Sequence, residues 1–201
     1  MKNRLVTFLV AFCFLIAAAS AAAQFPVKKK KEAKPAEKKE EKADAKPTSS
    51  ETLKDVTWAD NGITFQLPDN WQAMMEERDL ASFMLMPATD SAGLNATISR
   101  LGKDFPADAS LKATREDAAK KKDNAAVVSY EDMTLGKAKG VMYIEAAPAS
   151  PDDVRRLTWV GFQKRNGWNQ VTLHLSSKSG AFADHEATFR KVLATFKIES
   201  E

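Results

Sequence analysis

Two apolar-rich runs meet at an Asn-Gly pair, and that junction restricts the architectures open to this chain more than any other feature. Residues 157–162 (Leu-Thr-Trp-Val-Gly-Phe) and 168–175 (Trp-Asn-Gln-Val-Thr-Leu-His-Leu) flank Asn166-Gly167. Asn and Gly tolerate the positive φ that a type I′ turn requires, so the pattern predicts a β-hairpin. In its first strand Thr158, Val160 and Phe162 share one face, and Leu157, Trp159 and Gly161 share the other. Both faces therefore carry bulk. One must meet helices, and the other either packs against a further layer or forms an apolar groove for a partner.

The rest of the sequence supplies the covering elements. Ile63, Phe65 and Leu67 alternate with Thr64 and Gln66, the period of a half-buried strand, and Pro68-Asp69-Asn70 ends it as a turn. Residues 71–75, 83–86, 96–101, 127–135 and 140–147 read as further strands. Asp108 and Ser110 are candidate caps for a helix whose inner stripe is Leu111, Thr114, Ala118 and Lys122. A second helix opens at Ser179 or Gly180, with Phe182, Glu186, Phe189, Val192, Leu193 and Phe196 recurring at three- and four-residue steps, and 196–198 closes the chain as a short strand. Residues 53–201 thus form one α+β domain, a mainly antiparallel sheet covered by two helices.

Ahead of the domain lie two segments of different character. Lys2 and Arg4, an apolar run over 5–16 and small residues at 20–23 make residues 1–23 a secretory signal, with cleavage between Ala23 and Gln24. The alternative is an uncleaved inner-membrane anchor. Cys13 lies inside the apolar run, not at its end, which argues against a lipoprotein; after cleavage the chain has no thiol. Residues 24–52 are a Lys/Glu/Ala/Pro-rich linker with too little apolar surface to repay the entropy of ordering, and are expected to be disordered. The chain carries a formal charge of +3, of which Lys2 and Arg4 supply two and the stretch 24–50 four, leaving the domain at −3. That acidic balance disfavours nucleic acid.

Residues 61–71 (Asn-Gly-Ile-Thr-Phe-Gln-Leu-Pro-Asp-Asn-Trp) resemble the opening of PsbP-like domains, where a strand runs into a Pro-x-x-Trp turn. The long hairpin and the closing helix that ends in Ala194-Thr195-Phe196-Lys197-Ile198 match the same pattern. The family includes photosynthetic PsbP proteins, bacterial DcrB-like envelope proteins and chaperones of type VI secretion effectors. The resemblance spans most of 56–198 and implies an αβα sandwich with a role in binding or assembly, and it brings no catalytic residue with it. The signal sequence departs from the cytoplasmic secretion chaperones.

No residue pattern makes a reaction centre. His174 and His185 lack the spacing of a zinc pair, and no Gly-rich phosphate loop is present. A triad of Ser176, His185 and Asp184 lacks the Gly-x-Ser-x-Gly turn. Asp152-Asp153 reads as a helix start before it reads as a calcium ligand pair, and Asn95-Ala96-Thr97 is a formal sequon. No catalytic, metal or cofactor-binding residue is expected, and an enzyme is the third-ranked reading.

Four Trp and the methionines Met74, Met75, Met84 and Met86 offer adaptable apolar surface instead. Trp159, Phe162 and Trp168 are the candidate partner-binding surface, with Trp168, beside the turn, the best-placed anchor. The expected function is an exported, non-catalytic binding or assembly module, periplasmic or secreted, that holds a protein or apolar ligand of the envelope on its sheet face. The alternative is a structural protein whose lysines over 28–46 contact anionic polymer or lipid.

Overall fold

The computed structural model describes residues 52–201. The signal sequence, its Ala23/Gln24 junction and the linker up to residue 51 lie outside the described residues.

The strands are β1 (Leu53–Trp58), β2 (Ile63–Pro68), β3 (Trp71–Glu76), β4 (Leu80–Leu85), β5 (Gly93–Arg100), β6 (Val127–Leu135), β7 (Ala138–Glu145), β8 (Val154–Lys164), β9 (Trp168–Lys178) and β10 (Lys197–Ile198). Helix α1 (Ala107–Asp123) follows β5, and α2 (Phe182–Ala194) follows β9. Seven strands form one antiparallel sheet in the order β3-β4-β5-β9-β8-β7-β6. A second sheet, β1-β2-β10, is separate. Strand β1 is absent from the sequence reading because Lys54 and Asp55 interrupt its apolar alternation, and none of its residues is fully buried.

The β8–β9 hairpin is the centre of the large sheet. Asn166 and Gly167 both take positive φ, 55° and 107°, as the turn chemistry requires. The last paired residues are Lys164 and Trp168, so three residues make the connection instead of two, Arg165 being the extra one.

One face of the large sheet is sealed. Leu157, Trp159, Leu173, Leu175, Leu94, Ala96 and Phe83 all point there and are buried with Phe182, Phe189 and Leu193 of α2 and Phe65 of β2. Phe65 stacks on Phe196 at 4.3 Å between ring centroids and meets Phe83 edge-on at 5.6 Å, which locks the small sheet onto the large one. Trp159 crosses three strands. A Cβ on Gly161 or Gly140 would lie within 2.2 and 2.4 Å of its ring, so the indole rests on two bare backbones. Its Nε1 then donates to the Met133 carbonyl of β6 at 3.0 Å.

The opposite face is only partly covered. Helix α1 packs on β6, β7 and β8 through Ala107, Leu111, Thr114 and Ala118. Arg115 pairs with Asp132 at 3.0 Å, and Phe105 meets Phe162 at 5.4 Å between centroids. The helix begins at Ala107, after Pro106, without a side-chain cap; Asp108 lies in the first turn, where its charge suits the helix dipole, and Ser110 lies beyond the cap position. Asp152 and Asp153 likewise start no helix. They occupy a turn before β8, where Asp152 pairs with Lys178 at 3.1 Å. Helix α2 opens one turn later than the sequence suggested, after a 3-10 turn at Ser179–Ala181.

With one helix on each side of the large sheet, the layering is the αβα sandwich expected. The small sheet shares the sealed side with α2.

Candidate functional site

Strand register decides which side chains remain accessible on the helix-poor face. Ser99, Thr97, Asn95 and Gly93 of β5 stand opposite Gln170, Thr172, His174 and Ser176 of β9. Leu80, Ser82 and Met84 of β4 continue the same face, and Gln72 and Met75 of β3 close it at the edge. Every one of these residues is partly or fully exposed, while their strand neighbours Leu94, Ala96, Ile98, Val171, Leu173 and Leu175 are buried. The face carries hydroxyls, amides, one imidazole and apolar groups. None of these side chains is an Asp, Glu, Lys or Arg, although 28% of the chain is charged; charge enters at the border, where β9 ends at Lys178 and Arg156 of β8 stands opposite Ser176.

The methionines cluster at its margin. Met75 pairs with Ser82, so Met84 is its diagonal neighbour, and Met86 follows. Met74 occupies the irregularity between Ala73 and Met75 and is 57% exposed. A bulge in a short edge strand discourages pairing with another strand while leaving side chains available.

His174 lies at the inner boundary of this face. Its Nδ1 shares a hydrogen bond of 2.9 Å with the buried Thr158 hydroxyl. Burial, and then the nearby Arg156 guanidinium, lower its pKa below the usual 6.5, with Glu145 opposing them. His185 rides α2 on the sealed side, stacked on Phe189 and 3.4 Å from Asp90. Ser176 and His185 therefore sit on opposite sides of the sheet, and the Ser176–His185–Asp184 triad does not assemble. Among the described residues no group of three or more His, Cys, Asp or Glu is placed to hold a metal. No helix among them is long and apolar enough to cross a membrane.

The three aromatics singled out in the sequence separate. Trp159 has no exposed surface and belongs to the sealed core, because the paired glycines draw its ring inward. Phe162 is 7% exposed, covered by Phe105 and the start of α1. Of the three, Trp168 alone stays partly exposed; it lines a cavity of about 200 Å³ with Phe162, Leu111, Lys137 and Lys139. The sequence reading places the surface on aromatics, two of which are core, and does not find the uncharged face. Its signal is present as Asn95-x-Thr97-x-Ser99 and Gln170-x-Thr172-x-His174-x-Ser176, two runs of neutral outer positions, the second ending at Lys178.

At one end of the sheets a second polar assembly is built from buried amides. Asn61, Gln163 and Asn169 are each at most 2% exposed. Gln163 Nε2 donates to the carbonyls of Asn61 and Glu199, both at 2.7 Å, and Asn61 Nδ2 donates to the Arg78 carbonyl at 2.7 Å. Arg100 donates to Asp79 at 2.6 Å, Asn61 at 2.7 Å and Asn169 at 3.3 Å. These bonds tie the small sheet and the carboxyl-terminal segment to the large sheet, with each buried amide satisfied.

No family model and no curated protein matches the chain. Solved structures do. LpqN of Mycobacterium tuberculosis, described as involved in cell envelope biogenesis, superposes with a TM-score of 0.54 at 13% identity, covering 75% of this chain and 92% of LpqN. The fold is PsbP-like. Cyanobacterial PsbP (CyanoP) from Synechocystis is also similar, with a TM-score of 0.49 at 13% identity over 79% of this chain and 99% of that one. A Bacteroides thetaiotaomicron protein gives 0.40 at 12% identity over 70% of this chain and 46% of its own. At such identities the likeness is one of fold, and within the PsbP-like fold the open face and the amide-built end are properties of these particular residues.

Proposed function

We propose that this protein is an exported, non-catalytic binding module of the cell envelope, which holds a protein partner on the uncharged face of β3, β4, β5 and β9. The observation that carries this reading is the run of neutral outer positions across four adjacent strands, on β9 from Gln170 to Ser176. Interface centres are depleted of charged residues relative to other surface, since a buried charge must be desolvated and paired. A purely solvated sheet face has no such constraint, and here charge is plentiful everywhere else. The methionine margin adds side chains that adapt to a partner's shape.

Two further points support the envelope setting: the signal sequence with its Ala23/Gln24 cleavage point, and the likeness in fold to LpqN. The placement of the two imidazoles on opposite sides of the sheet supports binding over catalysis, because the chain's only two histidines cannot share a substrate.

The test is site-directed photo-cross-linking of the full chain in its own cells. A photoreactive residue at Asn95 or Ser99, both exposed on the open face, is expected to give a discrete protein adduct in the exported fraction. The same residue at Glu116, on the outer side of α1, is expected to give none. Equal adducts at all three positions, or none at any, would refute the reading. Deleting 24–52 behind an intact signal should leave the adduct in place; its loss would favour the basic tail as the working part.

A further inference from the structure

Three arginines from three separate parts of the chain converge at the amide-built end. Arg78 comes from the β3–β4 turn, Arg100 ends β5, and Arg165 sits in the β8–β9 connection. With Asp60, Leu101, Asn166 and Asn169 they line a cavity of about 520 Å³. The wall holds three guanidinium groups against the single carboxylate of Asp60. Two further carboxylates, Asp79 and Glu199, do not line it. Asp79 holds Arg100 at 2.6 Å and Glu199 holds Arg165 at 3.0 Å, so each fixes the position of a guanidinium.

Two features distinguish this from an ordinary charged surface. Arg100 is fixed by hydrogen bonds to three residues, two of them buried amides that are themselves held by backbone carbonyls. A site whose donors are locked by such a shell loses little entropy on taking a ligand. Then Arg78, exposed at the rim, makes no side-chain hydrogen bond or ion pair among the described residues, so its guanidinium is free to take a ligand.

We propose that this cavity is an oxyanion site that takes a phosphate group. Guanidinium forks match the paired oxygens of phosphate and carboxylate better than a lysine's point charge does; Arg78 presents a free one, beside Arg100 and Arg165, which are held by Asp79 and Glu199. Its size admits a phosphate with part of the molecule that bears it. Arg100 and Asn169 point to the sealed side of the large sheet, so the site is distinct from the open face and independent of it.

The experiment is a titration of the mature chain with inorganic phosphate at constant ionic strength, chloride being the balancing anion, read by calorimetry and by thermal unfolding. Phosphate is expected to bind and to raise the unfolding temperature with concentration, as a ligand of the native state must. Arg78→Gln, whose side chain holds nothing else in place, is expected to weaken phosphate at least tenfold with an unchanged unfolding temperature in chloride. Arg115→Gln on α1 should behave as wild type. A parallel acetate titration separates phosphate from carboxylate; acetate binding as tightly would overturn the phosphate assignment. Equal responses to phosphate and chloride, or an Arg78→Gln variant that still binds like wild type, would overturn the site itself.

Discussion

The two faces of the seven-stranded sheet are built from the same strands, often from adjacent residues, and do opposite work. On the sealed face Leu173 and Leu175 meet α2 and the small sheet with no exposed surface. One residue along, Thr172 and His174 remain partly exposed. Burying a Leu or Phe side chain is worth about 1.5–3 kcal/mol, whereas an exposed Thr contributes little. Stability is thus concentrated on one side, and the other side is free to carry whatever residues its partner requires.

The most severe way to test that division is to remove Trp159. Trp159→Ala is expected to cost about 3–5 kcal/mol, because it empties the space above Gly140 and Gly161 and leaves the Met133 carbonyl without its donor. Thr172→Ala, on the other side of the neighbouring strand, should stay within about 0.5 kcal/mol of wild type. Urea unfolding of both variants measures the contrast, and a cost for Trp159→Ala near that of Thr172→Ala would mean the sealed face is not the core. Gly161→Ala probes the same contact from beneath, and an overpacking cost of about 1–3 kcal/mol is expected.

A smaller effect is expected where the sealed side becomes polar. Gln163→Leu keeps the bulk but strands the carbonyls of Asn61 and Glu199, both of which it serves at 2.7 Å. Leaving such groups buried and unpaired costs about 1–3 kcal/mol. If Gln163→Leu unfolds at the same denaturant concentration as wild type, the amides at that end are decoration and not a frame.

Much of this architecture was legible from side-chain period. Ile63, Phe65 and Leu67, the Asn166-Gly167 hairpin and the Phe182/Phe189/Leu193 stripe each declare their element locally, since apolar spacing and turn chemistry are properties of a few neighbouring residues. The separation into two sheets was not legible. It depends on β2 pairing with β1 and β10, and that partner choice is made by Phe65 stacking on Phe196, 131 positions away. The fate of Trp159 was hidden for the same reason: its burial is fixed by Gly140, a residue on another strand. The arginine end is the extreme case, with Arg78, Arg100 and Arg165 unrelated in sequence and joined only by strand order.

His174 offers a milder perturbation at the boundary between the faces. Burial and Arg156 lower its pKa from 6.5, while Glu145 pulls the other way and Thr158 holds the ring. The unfolded chain then binds the proton more readily than the folded one, so this contribution is complete above about pH 6.5 and is lost as the pH falls toward the lower folded value. The native protein should lose stability between about pH 7 and the folded pKa by more than His174→Gln does, an effect expected to be smaller than that of Gln163→Leu. Parallel pH curves for the two proteins would show that His174 is not the group responsible.

The least disturbance to folding should accompany the greatest loss of function. Thr97→Lys and Thr172→Lys, made singly, each add one charge to the neutral middle of the face, at positions where the long side chain can reach water. Free of a partner, either variant should unfold within about 0.5 kcal/mol of wild type, since neither touches the core. On a partner's surface the same ammonium must be desolvated without a counter-charge, which is strongly unfavourable. The adduct formed from a photoreactive residue at Asn95 should therefore disappear in both, while Lys112→Glu on the exposed side of α1 leaves it intact. Retention of the adduct in the lysine variants would mean that neutrality of this face has no bearing on binding. Loss of the adduct in the α1 variant would move the contact to the helix side.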